Sequence, residues 1–135
     1  MMKILLLPIL GLFITSSSSF QQYRLDIEIT GIGNNEGCIM LQLMDENQRV
    51  ILQEIKVPEN GKCLISFKEL KPGKYAVRYY HDENQNKKLD SNLVGKPMEG
   101  YGFSNNVTGK FGPPAFEKWL FELYEHKKLL LTITY

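Results

Sequence analysis

The sequence predicts an all-β chain: an antiparallel β-sandwich of the immunoglobulin/transthyretin-like kind, with about seven strands and one long ordered loop. Three observations carry this. Short segments with an apolar residue at every second position recur along the chain. Clusters of Gly, Pro and Asn punctuate them. No stretch sustains a helical period. The chain has 135 residues, with 43% hydrophobic and 23% charged. That is room for one globular domain, and it excludes disordered and collagen-like classes.

The chain opens Met1-Met2-Lys3, continues uncharged from Ile4 to Ile14, and reaches Ser16 to Ser19. One early cation, a short apolar run and small residues read as a cleaved signal peptide over 1–19, cut near Ser19–Phe20. The apolar run is well short of the about 20 residues a membrane span needs. No cysteine stands near the cut, which argues against a lipid anchor. The expected working chain is a single β-sandwich domain over 20–135, exported to the periplasm, the outer membrane or the medium, with no transmembrane span.

Leu25, Ile27 and Ile29 alternate with Arg24, Asp26 and Glu28, a half-buried first strand. Gly31 to Gly37 is a turn cluster. Cys38 to Met44 is a second strand, apolar enough to be central. Val50 to Val57 is a weaker third, ended by Pro58-Glu59-Asn60-Gly61. Cys63, Ile65 and Phe67 alternate with Leu64, Ser66 and Lys68 in the fourth. Pro72-Gly73 reads as a type II turn, since Pro presets one φ and Gly supplies the positive one. In the fifth strand Tyr75, Val77 and Tyr79 share one face, and Ala76, Arg78 and Tyr80 the other. Residues 82–114 show no periodicity and form the long loop. Trp119, Phe121 and Leu123 alternate from Glu117 onward; aromatic enrichment favours strand there over a helix across Glu117 to Lys128. Leu129, Leu131, Ile133 and Tyr135 close the pattern.

Sixteen Lys+Arg face fifteen Asp+Glu. Loss of Lys3 would leave the mature chain neutral. With no Lys/Arg cluster, a nucleic-acid partner is excluded. Two cysteines make neither a disulfide-dense miniprotein nor a four-cysteine zinc site. An oxidising compartment would permit a Cys38–Cys63 bridge, but their strand phases suggest opposite sheet faces. That favours two free thiols.

One stretch has chemistry in its spacing. From His81-Asp82 onward, side-chain oxygens stand at Asp82, Asn84, Asn86 and Asp90, with the Lys88 carbonyl between the last two. Calcium takes six to eight hard oxygens, and this spacing resembles the first part of an EF-hand or dockerin-type loop. Lys87 stands where that loop needs Gly, and Leu93 where it needs a bidentate Glu. The competing reading, which those two departures favour, is a chain of metal-free Asx-turns. Further on, Glu99, Tyr101, Phe103 and Asn105 form a candidate binding surface among glycines; the same aromatics could instead pin the loop down, as in Ω-loops. Asn106-Val107-Thr108 is a formal glycosylation sequon.

Enzyme signals are sparse. His81, Asp82, Asp90 and Glu99, with Ser104, supply acid, base and nucleophile types for a hydrolase. Adjacent strand residues point to opposite faces, so His81 and Asp82 are poorly placed to act together. His126 lies in a polar turn and reads as a solvated side chain. No nucleophile-elbow, zincin, P-loop or dinucleotide motif occurs.

Several stretches together resemble one family of exported bacterial proteins. They are Leu70-x-Pro72-Gly73-Lys74-Tyr75-Ala76-Val77; His81-Asp82-x-Asn84-x-Asn86-x-x-Leu89-Asp90; Gly95-x-Pro97-x-Glu99-Gly100-Tyr101-Gly102-Phe103-Ser104-Asn105-Asn106; and Phe111-Gly112-Pro113-Pro114-x-Phe116. The family is domain of unknown function 2141, and the resemblance runs from Leu25 to Tyr135. It implies export and a β-sandwich and supplies no reaction. Lys87 departs from it, since the family's loop usually reads Gly there. The Pro-Gly-Lys-Tyr turn is more loosely similar to transthyretin-like and Cna B-type modules, a fold analogy without function.

Three function classes follow. The first is a non-catalytic binding module whose 82–114 loop is the working surface, with calcium as a candidate ordering ion and an envelope protein or other ligand as partner. The second is a hydrolase using His81, Asp82, Asp90 or Glu99. The third is a purely structural envelope protein.

Overall fold

The computed structural model describes residues 19–135, so the expected signal peptide lies outside the described residues except for Ser19. Eight strands form: β1 (Tyr23–Thr30), β2 (Cys38–Asp45), β3 (Val50–Lys56), β4 (Cys63–Leu70), β5 (Gly73–Asp82), β6 (Tyr101–Phe103), β7 (Phe121–Leu123) and β8 (Lys127–Thr132). One sheet has the order β4-β1-β8. The other runs β3-β2-β5-β6, with β7 also pairing β5. Among the described residues the only helical turns are short 3-10 turns at Ser104–Asn106 and Phe116–Lys118. Among the described residues no helix is long and apolar enough to cross a membrane.

Alternation places the core. Leu25, Ile27 and Ile29 of β1 turn inward against Ile39, Leu41 and Leu43 of β2, all six essentially inaccessible. Each such side chain contributes about 1.5–3 kcal/mol of transfer free energy. Cys63 belongs to this core, and Cys38 opens β2 in the opposite sheet; both are free thiols. Burial raises both thiol pKa values, so they stay protonated.

Four details differ from the sequence expectation. β8 lies parallel to β1, its Leu129 and Leu131 aligned with Ile27 and Ile29; the remaining ladders are antiparallel. Gly73 does not take a positive φ, so Pro72-Gly73 is no type II turn. Gly73 is already in the ladder opposite Leu123, and the left-handed residue nearby is Glu69. β6 lies inside the loop expected to be irregular. The 117–123 stretch is not one strand: a 3-10 turn precedes β7. That turn sends Trp119 to a second cluster with Met44, Ala76 and Phe103, while Phe121 and Leu123 enter the main core.

Candidate functional site

The register builds the outer face of the five-stranded sheet. Gln42 pairs with Arg78, which pairs with Phe103; Met40 pairs with Tyr80, which pairs with Tyr101. Paired residues share a face, so these two rows lie side by side on the surface away from the core. The loop after β5 folds back beside them.

β5 ends at His81 and Asp82, both wholly buried. His81 Nε2 donates to the Glu36 carbonyl at 2.6 Å, and Nδ1 accepts from the Tyr135 hydroxyl at 2.9 Å. That hydroxyl in turn accepts the Gly33 amide at 2.9 Å. A carbonyl can only accept, so Nε2 carries a hydrogen, and both ring nitrogens are engaged. Gly37 packs at the same strand end; its φ is +62°, and a Cβ there would fall 2.0 Å from the Asp82 carbonyl oxygen.

Two buried carboxylates then tie the loop. Asp82 accepts the Asn86 amide at 3.0 Å on one oxygen and the Lys87 amide at 2.8 Å on the other. Glu99, 6% exposed, accepts the Glu83 amide and the Asp90 amide, each at 3.1 Å. Charge-assisted bonds of this type are about twice as strong as neutral ones. The 83–90 turn is thus clamped at both ends, and Lys87 is held at φ 63°.

The nominated calcium donors converge, but on one another. Asn84 Nδ2 donates to Asp90 at 2.6 Å, and Asn86 Nδ2 donates to both Asp90 oxygens at 2.9 Å. Asn84 Oδ1 accepts the Asn86 amide at 3.1 Å, and Asn86 Oδ1 accepts the Lys88 amide at 2.8 Å, two successive Asx-turns. A cation would require both Asn amides to flip, breaking those turns. Among the described residues, no group of 3 or more His, Cys, Asp or Glu is placed to hold a metal ion.

The other sequence candidates divide. Phe103 is buried and lies 4.2 Å, centroid to centroid, from Trp119. Tyr101 is half-buried, edge-on to Phe103. Asn105 is exposed, but its amide donates to the Lys118 and Leu120 carbonyls, each at 2.9 Å. Asn106 of the sequon spends both amide atoms on the backbone of β8. Ser104 is wholly buried, bridging Val77 and Trp119. The four hydrolase candidates do not share a cleft: His81 and Asp82 are sealed, Glu99 holds two loop backbone amides, and the Asp90 carboxylate holds the Asn84 and Asn86 side chains.

What the fold does assemble is a cleft of about 400 Å³ over the outer face. Its floor includes Arg78, Tyr80 and Tyr101, and the loop residues Lys87, Lys88 and Leu89 also line it. Sequence reasoning missed Arg78, Tyr80 and the side chain of Lys87 as site residues. Alternation already put Arg78 and Tyr80 on one face, but nothing local says that a distant loop will roof it. A hollow of similar volume near the β3–β4 turn holds Lys56, Lys62 and Glu59 and no aromatic ring.

Residues 27–130 match the family described as an uncharacterized protein conserved in bacteria, DUF2141. The chain belongs to this family. No curated protein and no solved structure matches the chain. The match covers β2 to β7 in full, half of β1 and most of β8, so the clamped loop and every residue of the cleft fall inside the family region.

Proposed function

We propose that the chain is an exported bacterial β-sandwich that binds a ligand without catalysis, and that its 82–114 loop is the working surface. One observation carries the reading. Asp82 and Glu99 spend buried carboxylates on ordering a surface loop, and that loop walls a cleft floored by a rigid sheet. Function concentrates on loops positioned in this way.

Amide chemical-shift mapping with small anionic, neutral and cationic probes tests it. The expected perturbations cluster on Arg78, Tyr80, Lys87 to Leu89 and Tyr101. Shifts scattered over both sheets, or none at millimolar probe, would favour the purely structural envelope protein instead. Export is tested separately by sequencing the N-terminus of the mature protein from culture. It should begin near Phe20; a chain beginning at Met1 would contradict export.

Calcium ordering, by Asp82, Asn84, Asn86, the Lys88 carbonyl and Asp90, is the second reading, favoured by the meeting of the Asn84, Asn86 and Asp90 side chains in one turn. The ion would have to offset two Asx-turn hydrogen bonds, each contributing about 1 kcal/mol. The expected affinity therefore lies in the weak, millimolar range of extracellular modules.

A further inference from the structure

We propose that the cleft on the outer face binds an acidic saccharide: a pyranose ring seated on Tyr80 and Tyr101, its carboxylate held by Arg78, Lys87 and Lys88. This rests on the binding-module reading and names its ligand.

Charge selects the anion. Three cations line the cleft and no Asp or Glu does. Four cations elsewhere are paired, Arg24 with Asp26, Arg49 with Asp45, Lys62 and Lys128 with Glu28, while other lysines stand singly on the surface; the cleft differs in gathering three cations around one hollow with no acid. Among the described residues, Arg78, Lys87 and Lys88 have no carboxylate within 4.0 Å. Gln42 takes the Arg78 Nε at 2.7 Å, which fixes the guanidinium plane and leaves its terminal N–H groups for a bidentate acceptor.

Shape selects the ring. Tyr80 and Tyr101 are half-buried neighbours across β5 and β6, with hydroxyls for hydrogen bonding and faces for an apolar ring. An extended peptide would want a free strand edge, and β6 is already met on its outer edge at Tyr101. The Tyr101 amide donates to the Thr134 carbonyl at 2.8 Å, and the Thr134 amide returns the bond at 2.9 Å. Lys87 occupies the left-handed region, which a residue with a Cβ seldom adopts. A glycine there would relieve that strain and remove the charge, so Lys87→Gly probes the charge without burdening the backbone.

The test is calorimetric titration of the full mature chain with tetragalacturonate, maltotetraose and inorganic phosphate, repeated at high salt. Tetragalacturonate is expected to bind, more weakly as salt rises, and maltotetraose to bind about tenfold more weakly or not at all. Arg78→Gln should lower the affinity about tenfold or more with an unchanged melting temperature. Lys87→Gly should weaken binding without lowering the melting temperature. Phosphate binding as tightly as the uronate would show an anion site without a ring subsite and overturn the saccharide assignment. Equal affinity for both saccharides, or an affinity indifferent to Arg78→Gln, would overturn it too. In those cases the binding-module reading survives wherever shifts still map to the cleft. Silence of the cleft amides toward all three probes would remove both.

Discussion

Ser104 Oγ accepts the Val77 amide at 2.9 Å from across the edge of β5. The bond fills a gap. β7 pairs with β5 along Gly73–Tyr75 and β6 along Arg78–Tyr80, so on the edge away from β2 no strand meets β5 at Ala76 or Val77. Ser104 closes the gap and donates onward to the Trp119 carbonyl at 2.5 Å, joining the loop to the segment that carries the second apolar cluster.

Removing that hydroxyl leaves a buried amide and a buried carbonyl unpaired. Ser104→Ala should cost about 1–3 kcal/mol in urea unfolding, read as a lower midpoint at unchanged slope. A cost near zero would mean that water replaces the hydroxyl.

Two phenylalanines of the same loop should behave oppositely. Phe103 packs on Trp119, so Phe103→Ala is expected to cost about 3–5 kcal/mol. Phe111 is 103% exposed, and Phe111→Ala should stay within about 0.5 kcal/mol. Equal costs in the same unfolding assay would contradict the placement of one of them.

Acid should weaken the fold in a defined direction. The Arg49 amide beside Asp45, the Lys128 ammonium beside Glu28 and the Ser66 hydroxyl beside Asp26 hold the three carboxyls below their ordinary values of 3.8 for Asp and 4.5 for Glu. A folded-state pKa below the unfolded one means stability is present above the ordinary carboxylate range. It is lost as pH falls through the depressed values. The melting temperature should be flat near neutrality and fall below that range. The fall should shrink in high salt, because all three groups face solvent.

Calcium is testable in the metal-free protein. If the Asn84 and Asn86 amides flip toward the ion, the melting temperature should rise at millimolar calcium and not at micromolar. Asp90→Asn should abolish the rise. No shift at millimolar calcium leaves the loop as a set of Asx-turns.

The main strands were legible because burial is periodic. Leu25, Ile27 and Ile29 had to face one layer, and they do. β6 was not legible: three residues, Tyr101-Gly102-Phe103, carry no period. Their order comes from tertiary contact, since a Cβ on Gly102 would fall 2.3 Å from the Tyr79 hydroxyl. Trp119 looked in phase with Phe121, but it ends a 3-10 turn over Phe116–Lys118 and lies outside β7, so the phase is broken between them. At the site, spacing located the Asp82–Asp90 turn. The cleft stayed invisible because Arg78 and Lys87 meet only through the path of the loop. Glu99 read as a surface acid, yet its partners are the Glu83 and Asp90 amides, which local sequence does not bring near it.

The most direct measurement of the loop as a built platform is amide hydrogen exchange at Asn86, Lys87 and Asp90, with Glu99→Ala alongside. In the native chain the three amides should be protected well above coil rates while Asp82 and Glu99 hold them. In Glu99→Ala, Asp90 should lose protection while the β1, β2 and β5 core amides keep theirs. Coil-like exchange at all three positions in the native chain would show a loop that orders nothing, and the cleft would lose its wall.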